Sequence, residues 1–274
     1  MPVSLRDVPR CGAVGQILFR RGELVAERDP LRPSGRLLRQ GDMDASYVDL
    51  ADPRHLEFDY MRWMRIVLRA ARARRVLHVG GGACALARAL AAEDPAGRQE
   101  VCEIDARVLA LARQHLGLRR APGLHVRHAE GRSFVARQAP SSWDAVVIDA
   151  FVAAIVPRRL ITVQALADVA RVAPLALVNV VDDRSAREVR TIAAGLAQAY
   201  STVWTLGGRS GNTVLVGSAA RVDLDLDLDL DLDLDRVAAH AAADRSPARL
   251  TSPDALERLI AGTVPLADEE VKGP

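Results

Sequence analysis

Between residue 13 and about residue 50, apolar positions come in short runs broken by turn residues. GQILF, GELVAE, GRLLRQ and ASYVDL are separated by Gly, Pro and Asp. Such punctuation predicts short strands joined by tight turns, and so a small β-hairpin domain over residues 1–52. The period then changes. In DPRHLEFDYMRWMRIVLRAAR, Leu56, Tyr60, Trp63, Met64, Val67 and Leu68 recur at helical spacing, which predicts an amphipathic helix with an arginine-rich outer face. From residue 76 strand and helix patterns alternate. RVLHVGGG, QEVCEID, GLHVRHAEG, WDAVVIDAF and PLALVNVVDD read as strands. CALARALAAE, ARVLALARQHL, RRLITVQALADVARV and RSAREVRTIAAGLAQAY read as helices. This order predicts an α/β domain over residues 53–220 with a doubly wound, mainly parallel sheet. STVWTL and NTVLVGS close it as a hairpin, which predicts an antiparallel edge strand.

Residues 221–236, RVDLDLDLDLDLDLDR, are of low complexity. As a strand the run would put every leucine on one face and a self-repelling row of aspartates on the other. It lacks the glycine turn and the glutamate of a calcium loop. It is read as a repeat expansion in a linker, with an acidic docking strand as the alternative. Beyond it, residues 237–274 form a tail in which RVAAHAAAD and SPDALERLIAG predict two short helices, the second with Ser252 as cap and Pro253 in the first turn. The run makes the chain's end acidic. From residue 221 onward there are 6 basic and 13 acidic residues, a net of −7 against +2 for the whole chain, so the tail could fold back onto the rest.

Composition narrows the classes. At 274 residues and 49% hydrophobic, the chain can bury a sizeable core. Lys272 is the only lysine beside many arginines, and no basic patch with interleaved aromatics appears, so no nucleic-acid partner is expected. Cys11, Cys84 and Cys102 cannot all pair and lack metal-ligand spacing, which favours a reducing compartment and predicts no metal. MPVSLRDVPRCGAVGQ lacks the apolar core of a signal peptide, and no apolar run approaches the ~20 residues of a membrane helix. The expectation is a cytoplasmic protein with no membrane partner.

Candidate chemistry clusters at strand ends. Gly80, Gly81 and Gly82 sit where the first strand of the α/β domain turns into a helix, allowing a tight turn and close approach of a ligand to backbone. Glu103 ends the second strand, 23 residues after Gly80, where an acid receives ribose hydroxyls. Glu130 ends the third as a candidate partner for an adenine amine, with Gly131 after it, and Asp149 ends the fourth. Three carboxylates oppose a pyrophosphate and suit an adenosine ligand with a positively charged sulfur. His125, His128, Cys84, Trp63 and Met64 are assigned to structure.

VLHVGGG, CEID, AEG and DAVVIDAF, following SYVDLADPRHLEFDYMRWM, resemble the spermidine synthase (aminopropyltransferase) family, in particular its divergent bacterial spermidine synthase-like branch. The resemblance spans roughly residues 40–218. It implies a Rossmann-like class I S-adenosylmethionine-dependent methyltransferase fold behind a small N-terminal β-hairpin domain, and a homodimer. It also implies decarboxylated S-adenosylmethionine as co-substrate, no tightly bound cofactor, and a small amine as acceptor. By the same resemblance Glu103 holds the ribose, Glu130 and Gly131 the adenine side, and Gly80, Gly81 and Gly82 the nucleoside thioether. Asp149 accepts the proton of the attacking amine, with Tyr60 beside it.

The chain departs from that family at defined places. Where the family reads GGGDGG, with an acid gripping the aminopropyl ammonium, this chain has Ala83. Where a second aspartate follows the catalytic acid it has Val152 and Ala154, and the glutamine before SYVDL is Ala45. No tyrosine lies near GGRSGN. An unpaired buried ammonium is costly, so these losses argue against an ordinary diamine acceptor. Two other readings stand beside aminopropyl transfer: an S-adenosylmethionine-dependent methyltransferase, and a non-catalytic nucleoside-binding homologue.

Overall fold

The computed structural model describes residues 15–182, 185–208, 211–219 and 232–271, so Cys11 and the N-terminal stretch, the Asp-Leu run through residue 231, and Lys272 lie outside the described residues. The four N-terminal runs form strands β1 (Gln16–Arg21), β2 (Leu24–Arg28), β3 (Gly35–Gln40) and β4 (Met43–Asp49), an antiparallel sheet in sequence order. Two of its turns have only two residues, with Arg21 paired to Leu24 and Gln40 to Met43. Each opens on a glycine at positive φ, Gly22 at 58° and Gly41 at 59°, as a two-residue hairpin with glycine first requires.

Helix α1 (Asp59–Ala70) follows, and its apolar stripe is wholly interior: Trp63, Met64 and Val67 are each 0% exposed. The second sheet is built from β5 (Arg75–Val79), β6 (Arg98–Glu103), β7 (Leu124–His128), β8 (Ala145–Ile148), β9 (Leu175–Val181), β10 (Thr202–Gly207), β11 (Asn212–Ser218) and β12 (Arg249–Thr251). Its order is β12-β10-β11-β9-β8-β5-β6-β7, with β5 to β9 parallel and the rest antiparallel. The helices joining these strands are α2 (Ala85–Glu93), α3 (Ala106–His115), α4 (Gly131–Ala136), α5 (Val163–Val172) and α6 (Arg187–Ala199). They leave the central strands buried on both faces, which is why β8 and most of β9 read as continuous apolar runs.

The sheet reverses direction of growth between β5 and β8. The chain runs outward through β6 and β7 and then crosses back to β8 on the other side of β5, a switch point that opens a crevice at the carboxyl ends of those two strands.

The sheet differs from the sequence expectation at its edge. The closing hairpin is not outermost, because three residues of β12 pair with β10 and extend the sheet by one more strand. So short a strand carries no readable alternation. Helix α4 was also hidden in the sequence, since its six residues are too few to show a period. The tail helices appear as α7 (Leu234–Ala242) and α8 (Pro253–Ile260), and Ser252 caps the second by accepting from the Ala255 N–H. Among the described residues, no helix is long and apolar enough to cross a membrane.

Candidate active site

The glycine turn after β5 is shaped by how close two strand ends come. Gly80 has φ +92°, and a Cβ there would stand 2.3 Å from the main-chain oxygen of Asp149, so only glycine fits. Gly81 and Gly82 present their N–H groups to Glu103 Oε2 at 2.9 and 3.1 Å. Glu103 Oε1 accepts from the Asp105 N–H at 2.9 Å. The acid at the end of β6 is thus held by three backbone donors, two of them in the glycine turn, and lines the crevice beside it.

Asp149 follows β8 directly. Its Oδ2 accepts from the Tyr60 hydroxyl at 3.2 Å and its Oδ1 from the Asn179 amide nitrogen at 2.9 Å. Tyr60 comes from the first turn of α1 and Asn179 from β9, so two separate elements converge on the carboxylate that a third, β8, carries. Burial raises the Asp149 pKa from 3.8 to about 6, and the hydrogen bonds from Asn179 and Tyr60 partly oppose that rise. Burial and the neighbouring carboxylate push the Tyr60 phenol well above its ordinary value, so it stays protonated and donates. A carboxyl poised near neutrality can take a proton from an incoming group and release it again. Asn179 was not singled out from sequence. Its signal was a lone amide inside the apolar run LALVNVV, a strand buried on both faces.

The crevice widens into a cavity of about 1320 Å³ bounded by both sheets. Carboxylates outnumber guanidinium groups ten to four in its lining, which favours a cationic occupant. Gly80, Gly81, Gly82, Glu103, Glu130, Gly131, Asp149 and Tyr60 all line it. Glu130 is less available than its position in the sequence suggests. It is the N-cap of α4, where its carboxylate accepts from the Arg132 and Ser133 N–H groups and the Ser133 hydroxyl. Gly131 has a packing reason too, because a Cβ there would lie 2.4 Å from Val79 Cγ1.

No family model matches the chain, and no curated protein matches it. Solved structures do. A probable spermidine synthase from Corynebacterium glutamicum is 25% identical, with a TM-score of 0.80 over 96% of this chain and 100% of that one. This chain is spermidine synthase-like. The spermidine synthase from Thermotoga maritima is 14% identical, with a TM-score of 0.62 over 90% of this chain and 88% of that one. Human methyltransferase-like protein 13, solved in complex with SAH, is 18% identical, with a TM-score of 0.55 over 78% of this chain and 97% of that one. The last two share the fold.

This spermidine synthase-like chain has an unusual wall. Ala83 is 0% exposed and packs in the core under the glycine turn, so position 83 offers nothing to the cavity. Ala153 and Ala154 both adopt positive φ, 50° and 65°, in a tight turn closed by reciprocal hydrogen bonds between Val152 and Ile155. Val152 at its base lines the cavity and is 68% exposed, an apolar rim where the resemblance predicts an acid. Cys84 opens α2 but is buried, and burial pushes its thiol up to about 12, which suits a packing role rather than a reactive thiolate. His128 bonds the Ile104 carbonyl, and no group of three His, Cys, Asp or Glu that could hold a metal occurs among the described residues.

Sequence reasoning also missed the wall supplied by the tail. Arg245 Nη2 donates to the Leu56 and Glu57 carbonyls and to the Glu57 carboxylate, just before α1. Arg62 of α1 pairs with Asp244 at 2.9 Å, both largely buried, and Trp63 Nε1 donates to the Ser246 carbonyl. Arg245 and Ser246 line the cavity. The turn after α7 therefore holds the helix that carries Tyr60.

Proposed function

We propose that this chain transfers an aminopropyl group from decarboxylated S-adenosylmethionine to a small amine. The observation that carries the reading is the buried Asp149 carboxyl, near-neutral in pKa and held by Tyr60 and Asn179, beside a glycine turn in a carboxylate-rich cavity. The donor is dicationic, with a sulfonium and an ammonium, and such a cavity suits it. In this reading Gly80 to Gly82 and Glu103 hold the nucleoside, with Glu103 exchanging its backbone donors for ribose hydroxyls. Glu130 and Gly131 flank the adenine.

The chemistry needs little beyond positioning, because a sulfonium is already an activated leaving group. The amine lone pair attacks the methylene bonded to sulfur. The C–N bond forms as the C–S bond breaks, its electron pair goes to sulfur to give neutral methylthioadenosine, and one amine proton passes to Asp149.

Methyl transfer from intact S-adenosylmethionine is the rival. It is favoured by Ala83, which leaves no acid at that position to repel the extra carboxylate, and by the likeness to a methyltransferase. Calorimetric titration with decarboxylated S-adenosylmethionine, intact S-adenosylmethionine and methylthioadenosine separates the readings. Tighter binding of the decarboxylated form supports aminopropyl transfer, and preference for the intact form supports methyl transfer. Binding of none of the three leaves a non-catalytic homologue.

A further inference from the structure

The chain that leaves Asp149 builds an apolar wall. From Ala150 to Pro157 no side chain is polar, and Ala150, Phe151, Val152 and Pro157 all line the cavity. Phe151 is half-buried against the core beneath, while Val152 is 68% exposed and Ile155 48%. Val152 and Ile155 face each other across their two-residue turn, joined by hydrogen bonds of 2.9 and 3.1 Å. Residues directly opposite in an antiparallel pair share a face, so Ile155 extends the apolar surface that Val152 begins. Three residues of chain span at most about 11 Å, so this surface starts within reach of a short substituent on a nitrogen held at Asp149.

The acid surplus of the cavity lies elsewhere, and much of it is already paired. Glu27 and Asp44 share Arg39, Glu57 has Arg245, Asp105 has Arg107 and Glu130 has Arg159. Glu103 is held by backbone N–H groups. Asp59, one residue before Tyr60, also lines the cavity and gives one oxygen to the Tyr60 N–H at 2.7 Å. It is the rival anchor for a second positive charge.

We infer that the acceptor is a monoamine with an alkyl or arylalkyl body, seated on Phe151, Val152 and Ile155 with no charge at its far end. This rests on the aminopropyl-transfer reading and narrows its acceptor class. An ammonium laid on this surface loses water and gains no partner. Each methylene buried there instead tightens binding roughly threefold to fourfold. The bonds made and broken are those of the transfer step above. The product is an N-substituted 1,3-diaminopropane, apolar at one end and cationic at the other.

The test uses the whole chain with decarboxylated S-adenosylmethionine and compares kcat/KM for butylamine, hexylamine, phenethylamine and 1,4-diaminobutane, with products followed by mass spectrometry. The wild type is expected to prefer butylamine to the diamine by about tenfold or more, the effect of stranding one ammonium. It should gain about tenfold more from butylamine to hexylamine. Val152→Asp puts a carboxylate on the exposed rim and should reverse the order, raising the diamine and lowering hexylamine. Val152→Ser should shrink the gain with chain length without favouring the diamine. These are ratios within one preparation, independent of how much enzyme is folded. A wild type that serves the diamine as well as butylamine, or better, overturns this inference alone, and loss of that preference in Asp59→Asn would place the second charge on α1. An order unchanged in Val152→Asp overturns it as well. No transfer to any of the four amines overturns the aminopropyl-transfer reading, and this one with it.

Discussion

Tyr60 and Asp149, 89 residues apart in the chain, meet hydroxyl to carboxylate at 3.2 Å. One belongs to the first turn of α1 and the other to the end of β8, so the contact exists only when the helix is seated against the parallel sheet. Burial and this pairing set the chemistry of the carboxylate, and the first predictions follow from them.

Replacing Asp149 by Asn should lower transfer by about a hundredfold or more, the usual worth of a positioned base, while nucleoside binding stays measurable by calorimetry. Wild-type activity in the variant would remove Asp149 from the base role. Stability should move the opposite way. The folded-state pKa is raised from 3.8 to about 6, so the folded protein holds this proton more tightly than the unfolded chain does. The ionised carboxylate therefore costs stability as pH rises through about 6, by up to about 3 kcal/mol, and nothing below the unfolded value. Asp149→Asn should raise the melting temperature at pH 8 and leave it nearly unchanged at pH 4.

The acid limb of the rate profile should lie near the Asp149 value, with activity falling as the pH drops through about 6. Tyr60→Phe removes a hydrogen bond that lowers this pKa, so the limb should move to higher pH while rate falls about tenfold. An unmoved limb would show that the phenol does not act on the carboxylate.

Glu103→Gln should weaken methylthioadenosine binding about tenfold or more, because a charged acceptor is replaced by a neutral amide facing the glycine N–H groups. Calorimetry reads this directly, and unchanged affinity would sink the ribose assignment.

Gly131→Ala should cost about 1–3 kcal/mol by overpacking against Val79, visible in a denaturant melt, with the substrate preference intact. Gly80→Ala should be worse, since it adds strain at positive φ to a clash with the Asp149 backbone.

Asp244→Ala leaves the Arg62 guanidinium buried without its carboxylate, a loss of about 3 kcal/mol. Because Arg62 and Tyr60 share a helix, this variant should also slow transfer. A melt unchanged from wild type would deny the tail its structural part.

Most of this architecture was legible in the sequence because periodicity reports burial. β8 and β9 read as apolar runs because both faces are covered, and α1 reads as a helix because one stripe of it is. Asp149 and the glycine turn were legible because strand ends in an open parallel sheet border one crevice. Asn179 was harder to see. Ile148 pairs with Val178, so the next residue of each strand brings Asp149 beside Asn179, and that register is not written in either strand alone. Glu130 was legible as a strand-end acid but not as a helix cap, since α4 is too short to announce itself. The contribution of Asp244, Arg245 and Ser246 was invisible, because it depends on a return across more than 180 residues of chain.

That return has a genetic consequence. Between β11 and the cleft's final wall the chain is a tandem Asp-Leu repeat, and codons that repeat as the residues do would make it a tract that replication slippage lengthens and shortens. Gain or loss of a whole Asp-Leu unit keeps the reading frame and preserves the anchors at Arg62 and Trp63. A single-nucleotide slip in the same tract would spare every family motif upstream and still strip the cleft of Arg245 and Ser246. Null alleles of this gene should therefore be found in the repeat as well as at Asp149.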